Sequence, residues 1–94
     1  MSGCTLDELE AALKAHMNPD WLELIDESAA HAGHLHAPVN AQGVTHLRVR
    51  LVWAERAGLS RVAKHRLVYD ALRDGLDRGL HALAIDWLDS PPAA

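Results

Sequence analysis

A chain of 94 residues with a formal net charge of −4 and 49% hydrophobic residues has the size and composition of one small soluble domain. Its single cysteine, Cys4, excludes an internal disulfide, so we expect a reducing compartment and a cytoplasmic protein. No apolar run reaches the length of a membrane span, and the N-terminus lacks the apolar core of a secretory signal, so we expect no membrane partner. We assign residues 1–94 to one domain, with 5–88 ordered and flexible ends at 1–4 and 89–94.

The first predicted elements are a helix and a strand. Thr5 and Glu8 have the spacing of a capping box, in which each side chain binds the other residue's backbone amide. Leucines at helical spacing follow, and Asn18-Pro19 ends the pattern, which predicts a helix over Leu6–His16. The alternation over Trp21–Ser28 predicts the first strand.

A long loop and a second strand come next. Ala29–Gly43 has little periodicity and contains the histidines His31, His34 and His36. Thr45–Trp53 alternates strongly, which predicts a strand. Four of its side chains are expected to point into the core: Leu47, Val49, Leu51 and Trp53.

The last predicted elements are a helix and a strand. Ser60 is a suitable N-cap for one helix over Ser60–Arg78, Gly79 suits its C-terminal end, and His81–Leu88 is the final strand. The predicted core face of this helix has five members: Val62, His65, Tyr69, Leu72 and Leu76. The order α-β-β-α-β predicts a small α+β domain with a three-stranded sheet and both helices on one face.

Charge is distributed unevenly along the chain. Between Arg48 and Arg66 there are six basic residues and one acid, whereas the rest of the chain has three basic residues and twelve acids. A solvated face is the usual interpretation of such a run, and contact with a nucleic acid is the alternative. The residues expected to make that contact are Arg61, Lys64 and Arg66.

Seven histidines make metal binding a further possibility. His81 lies where a helix end meets a strand start, and the histidine loop begins near the same end of the sheet. A histidine from this loop and His81 are therefore expected to converge, although a solvated loop is the more common interpretation. With His31, His34 and His81 as ligands zinc is not excluded. A [2Fe–2S] cluster accepts two histidines on one iron, but a partner would have to supply the thiolates.

Three separated stretches carry a family resemblance: Leu22–His31, Thr45–Val49 and Lys64–Ile85. In order and spacing they resemble the BolA family, whose fold is related to the type II KH topology. The resemblance implies a heterodimer with a monothiol glutaredoxin, which shares a glutathione-ligated [2Fe–2S] cluster that is absent from the isolated chain. His81, in the His-Ala-Leu motif, and His31, in a Ser-x-x-His pattern, are the implied metal ligands, with His34 as second choice.

The resemblance also defines the alternatives for function. Iron–sulfur cluster assembly or trafficking is the leading hypothesis. A DNA-binding transcriptional regulator of stress response and cell morphology is the second. We expect no enzyme and no small-molecule substrate, because Ser60, His65 and Asp70 are spaced five residues apart on one helix and cannot form a hydrogen-bonded triad.

Overall fold

The structure is a computed structural model that describes residues 3–31, 43–54 and 58–93. Within this part of the chain one sheet has the order β1-β2-β3, with β1 antiparallel and β3 parallel to the central β2. None of the described helices is long and apolar enough to cross a membrane. The helices are α1 (Leu6–Met17), the 3-10 helix η1 (Ser28–His31), α2 (Arg61–Ala71) and α3 (Arg73–Asp77), and the strands are β1 (Trp21–Asp26), β2 (His46–Val52) and β3 (Ala82–Leu88).

Helix α1 begins at the predicted capping box. The Glu8 amide donates to Thr5 Oγ1 at 3.1 Å, and the Thr5 amide donates to Glu8 Oε1 at 2.9 Å. At the other end Asn18 adopts a left-handed conformation, with φ 50° and ψ 60°, and its amide donates to Lys14 O. The helix is therefore one residue longer than the predicted Leu6–His16.

The central strand β2 carries the core. Leu47, Val49 and Leu51 alternate along it and are each at most 1% exposed. They form one hydrophobic cluster with Leu13 of α1 and Val68 of α2, so both helices cover the same face of the sheet. This confirms the predicted α+β class and the predicted alternation of β2.

The prediction of one continuous helix over Ser60–Arg78 is wrong, and the prediction of its buried residues is partly wrong. The helix is interrupted at Leu72, where α2 ends and the short α3 begins. Both Leu72 and Gly75 are buried. Gly75 has low helix propensity, and its missing side chain leaves room for Leu9 of α1. Val62 and Tyr69, which were expected in the core, are 62% and 41% exposed.

The N-terminal segment is packed against the domain, which corrects the expectation that Cys4 belongs to a flexible end. Cys4 is 1% exposed. Its carbonyl accepts a hydrogen bond of 2.9 Å from the Val44 amide, and its thiol approaches Val44 O at 3.7 Å. Burial raises the pKa of the Cys4 thiol, so it is held in the protonated form.

Arg78 joins the N-terminal segment to the end of α3. Its guanidinium donates to Gly3 O at 2.8 Å and to Glu8 Oε2 and Asp74 Oδ2 at 2.9 Å each. The Arg78 guanidinium, together with the hydrogen bonds from Thr5, lowers the pKa of Glu8 to about 2. The charged form of Glu8 therefore stabilises the folded state.

The lowered pKa of Glu8 predicts part of the acid sensitivity of this protein. Because the pKa falls from 4.5 to about 2 on folding, the stabilisation is complete above pH 4.5 and is lost as the pH falls toward 2. The stability of Glu8→Gln, which keeps the capping geometry, should therefore fall less over this range in urea unfolding. Glu10→Gln, which alters a surface pair with Lys14 at 3.8 Å, is the control and should follow the wild type. Equal acid sensitivity of Glu8→Gln and wild type would contradict this assignment.

Candidate functional site

The sheet register brings three chain segments to one end of the sheet. Asp26, the last residue of β1, pairs with Leu47, and His46, the first residue of β2, pairs with Ala82, the first residue of β3. We call this end, marked by Asp26, His46 and Ala82, the histidine end. The end of β1 and the starts of β2 and β3 therefore meet there.

Ser28 anchors the 3-10 helix η1 at the histidine end. Its amide and hydroxyl donate to Asp26 Oδ1, and its hydroxyl oxygen accepts from the amides of Thr45 at 2.9 Å and His46 at 3.3 Å. The Asp26 side chain thus starts the turn, which explains why β1 ends two residues before the predicted Ser28. The amide of Glu27 also donates to His46 O at 2.8 Å.

His81 is exposed and its backbone is firmly held. Leu80, before it, is 3% exposed and fixes the chain in the core, while Gly79 makes the turn with φ 117°. The His81 amide donates to Thr45 O at 2.7 Å, and the Ala82 amide donates to the same carbonyl at 3.1 Å. The imidazole therefore projects from a backbone that is already held in place. Binding through His81 would require little further ordering of this segment.

A second imidazole, that of His46, lies beside His81. The two ring centroids are 5.9 Å apart, with 60° between the ring planes. His46 is half-buried, and its Nδ1 lies 2.9 Å from Thr45 Oγ1. Sequence reasoning missed this neighbour. His46 and His81 each lie at the start of a strand, but their contact depends on the parallel register, in which His46 pairs with Ala82.

The predicted loop ligands are located only in part. The backbone of His31 ends η1, which Ser28 ties to the start of β2, so the chain at His31 belongs to the histidine end. The side chain of His31 and the whole of His34 lie outside the described residues. The choice between these two ligands stays a prediction.

His65 belongs to the predicted core face of the helix over Ser60–Arg78, which makes it a structural residue. Its Nδ1 lies 3.0 Å from Arg61 O, and the Trp87 indole Nε1 donates to the same atom at 3.3 Å. One nitrogen cannot donate to the first and accept from the second at once, so the two bonds belong to different tautomers. His65 is half-buried rather than fully buried, and it lies at the other end of the sheet from His81, beside β3 residue Trp87.

The described residues do not form a complete metal site. No group of three or more His, Cys, Asp or Glu side chains that could hold a metal occurs within 3–31, 43–54 and 58–93. The thiol of Cys4 is buried and protonated, whereas metals bind the thiolate. What the histidine end offers is imidazole nitrogen. That donor suits a [2Fe–2S] cluster only if thiolates come from another molecule.

The basic residues between Arg48 and Arg66 fall into two groups. Arg48 contacts Glu27 and Asp86 at 3.1 Å each, and Arg50 contacts Glu23 at 2.7 Å, so the cations on the outer face of the sheet are neutralised. On α2 the basic side chains Arg61, Lys64 and Arg66 form no ion pair with the described acids, although Lys64 Nζ lies 4.8 Å from the centre of the Trp87 ring. Arg56 lies outside the described residues. A polyanion would therefore meet α2, not the sheet.

The chain is a small α+β domain with a mixed three-stranded sheet and two neighbouring histidines at one end of that sheet. The chain matches the family model described as BolA-like protein over residues 13–90. It belongs to the BolA-like family, as its motifs suggested.

Individual relatives agree with this assignment. An uncharacterized protein from the cobS 5' region of Sinorhizobium sp is 44% identical over 85% of this chain and 85% of its own length. The protein named DNA-binding transcriptional regulator BolA from Vibrio cholerae is 38% identical over 84% of this chain and 69% of its own. Among solved structures, BolA1 from Arabidopsis thaliana superposes with a TM-score of 0.78 at 34% identity, covering 97% of this chain and all of that one.

Proposed function

We propose that this BolA-like protein is an iron–sulfur cluster assembly or trafficking partner of a monothiol glutaredoxin. In the heterodimer a loop histidine and His81 ligate one iron of a shared, glutathione-containing [2Fe–2S] cluster, while the glutaredoxin and glutathione supply the thiolates. The loop ligand is His31, with His34 as second choice. The proposal describes a binding protein rather than a catalyst, and a cytoplasmic location belongs to it.

One observation carries this proposal: an exposed, rigidly held imidazole stands where the chain of the histidine loop joins the sheet. His81 is exposed, its amide is fixed to Thr45, and η1 is fixed to the same segment through Ser28. The backbone of η1, which ends at His31, and that of His81 are therefore both tied to Thr45, which supports a common role for these two histidines. His46 adds a third imidazole against His81 and is a candidate to orient it.

The incompleteness of the site supports a partner. Imidazoles alone do not satisfy an iron–sulfur cluster, and the only thiol of the chain is buried. An isolated chain should therefore bind no cluster. A glutaredoxin–glutathione pair supplies the missing thiolates and leaves two positions that imidazoles can take.

The test is a spectroscopic titration of a [2Fe–2S]-loaded monothiol glutaredoxin with the intact chain. Replacement of thiolate by imidazole on one iron should shift the visible absorption and circular dichroism bands. His81→Ala should abolish the shift, and His31→Ala should abolish it or reduce it more than His34→Ala does. His16→Ala is the matched control, since His16 lies at the end of α1 and bonds Ala12 O within its own helix.

Two outcomes would contradict the proposal. Unchanged spectra with the wild-type chain would exclude shared ligation. A full spectral shift with His81→Ala, when that variant shows wild-type unfolding, would exclude His81 as a ligand.

DNA binding is the second candidate, and the observation in its favour is the set of unneutralised cations on α2. A relative that covers most of this chain is named a DNA-binding transcriptional regulator. Against this role, ion pairs on the outer sheet face remove two of the six cations, and the chain as a whole is acidic. We therefore rank it below the cluster-binding role.

A further inference from the structure

Helix α2 presents an apolar stripe that the core of the domain does not cover. Val62, His65 and Tyr69 follow one another at i, i+3 and i+7, the spacing that lines the contact between two packed helices. The helix turns Val62 and Tyr69 away from the core, so they are 62% and 41% exposed, while His65 between them is half-buried against Trp87. With Arg61 and Arg66 they line a shallow depression of about 440 Å³.

This surface, which we call the α2 stripe, lies away from the histidine end. Because β3 runs parallel to β2, the connection through α2 must return from the end of β2 to the histidine end. The first turns of α2 therefore lie at the opposite end of the sheet. The contact of His65 with Trp87, whose register partner is Leu51 near the end of β2, agrees with this position. A partner on the α2 stripe and one at the histidine end need not exclude each other.

The positive charges beside the stripe indicate that its partner is acidic. From Arg61 to Tyr69 the helix has four basic or imidazole side chains and no acid, whereas the whole chain has a net charge of −4. Arg61 and Arg66 form no ion pair with a described acid, so both are available to carboxylates of another molecule. An apolar stripe between unpaired arginines complements a helix that carries leucine-like side chains between glutamates or aspartates.

We propose that the α2 stripe is a docking site for an acidic amphipathic helix of another protein. A second copy of this chain fits poorly, because its own α2 stripe is basic and the apolar residues of its acidic helix α1 are turned into the core. A nucleic acid would contact the cations, but it would gain little from the exposed Val62 that lines the depression. Apolar side chains with flanking carboxylates match both features.

The proposal is tested by an ¹⁵N NMR titration of the full chain with a synthetic acidic helix. The probe is a peptide of about 18 residues, or five turns, with leucines on one face and glutamates on both sides of them. The expected result is saturable shifts of the amides from Arg61 to Tyr69, with a Kd below about 1 mM that rises with salt. Val62→Asp and Arg66→Glu should each weaken binding at least about tenfold.

Matched controls separate docking from general attraction or unfolding. Leu67→Asp alters a 38% exposed apolar residue on the other side of the same helix, and Lys14→Glu reverses a charge on α1; both should bind as the wild type does. The same peptide with lysines in place of glutamates should not bind.

Three results would overturn the proposal. The first is the absence of saturable shifts up to 1 mM peptide, because the expected Kd lies below about 1 mM. The second is binding that Val62→Asp leaves unchanged in a folded variant. The third is the same shifts produced by a short DNA duplex at lower concentration, which would assign α2 to nucleic acid. Each result is independent of the spectra that test His81.

Discussion

Gly43→Ala is expected to destabilise the protein by at least about 3 kcal/mol, although it adds only one methyl group. Gly43 has φ 76°, a conformation that costs a residue with a side chain about 1–2 kcal/mol. An added Cβ would also lie 2.4 Å from Cys4 O and 2.9 Å from Cys4 N, which are backbone atoms. To relieve this contact the N-terminal segment must move, which breaks the Val44–Cys4 hydrogen bond and exposes the buried thiol.

Two other glycines separate the strain from the clash. Gly79 has φ 117° but nothing within 4 Å of an added Cβ, so Gly79→Ala should show the conformational cost without a clash, about 1–3 kcal/mol. Gly58 has neither feature, and Gly58→Ala should be close to neutral. Urea unfolding followed by circular dichroism should give the order Gly58, Gly79, Gly43. A cost for Gly43→Ala no larger than that for Gly79→Ala would show that the N-terminal segment yields easily.

The elements that could be predicted from the sequence are those fixed by local chemistry. The capping box at Thr5 and Glu8 and the alternation of Leu47, Val49 and Leu51 each involve residues that are close in sequence. Both patterns can be recognised without knowing how distant segments of the chain pack. The family motifs extended this to the whole topology, because they fix the order of elements that local patterns leave open.

The features that the sequence did not reveal depend on contacts between distant segments. Cys4 is buried by Val44 and Gly75, which are 40 and 71 residues away. Val62 and Tyr69 fit the helical stripe as well as Leu72 does, but the periodicity cannot say how much of the stripe the core covers. The contact between the His46 and His81 rings depends on the parallel register of β2 and β3, which no local signal provides.

The two proposed binding surfaces, one for the cluster and its partner and one for an acidic helix, lie at opposite ends of the sheet. The histidine end offers imidazoles on a fixed backbone, and the α2 stripe offers an apolar helix face with unpaired arginines. In a protein that passes a cluster from one partner to another, separate surfaces would let donor and acceptor bind together. This arrangement would explain why a stripe with the periodicity of a core helix is left exposed.

Trp53→Ala should be the most damaging substitution in the core, with an expected loss of about 3–5 kcal/mol. Trp53 is 7% exposed at the end of β2, and its ring stacks on that of Trp87 with centroids 6.4 Å apart and 15° between planes. Its indole Nε1 donates to Met17 O at 3.0 Å, which satisfies a carbonyl at the end of α1. The side chain therefore joins the sheet, the first helix and the Trp87 ring that supports α2.

Trp53→Phe divides this loss into its parts. Phenylalanine keeps an aromatic ring for Trp87 but removes the donor to Met17 O, so the cost should be about 1–2 kcal/mol. Trp21→Ala, at a half-buried position on the edge strand β1, is the control and should cost less than Trp53→Ala. Unfolding is best followed by far-ultraviolet circular dichroism, because each substitution removes a fluorophore. If Trp53→Phe costs as much as Trp53→Ala, the hydrogen bond rather than ring packing holds α1 to the sheet. If both cost less than about 1 kcal/mol, the role assigned to Trp53 is wrong.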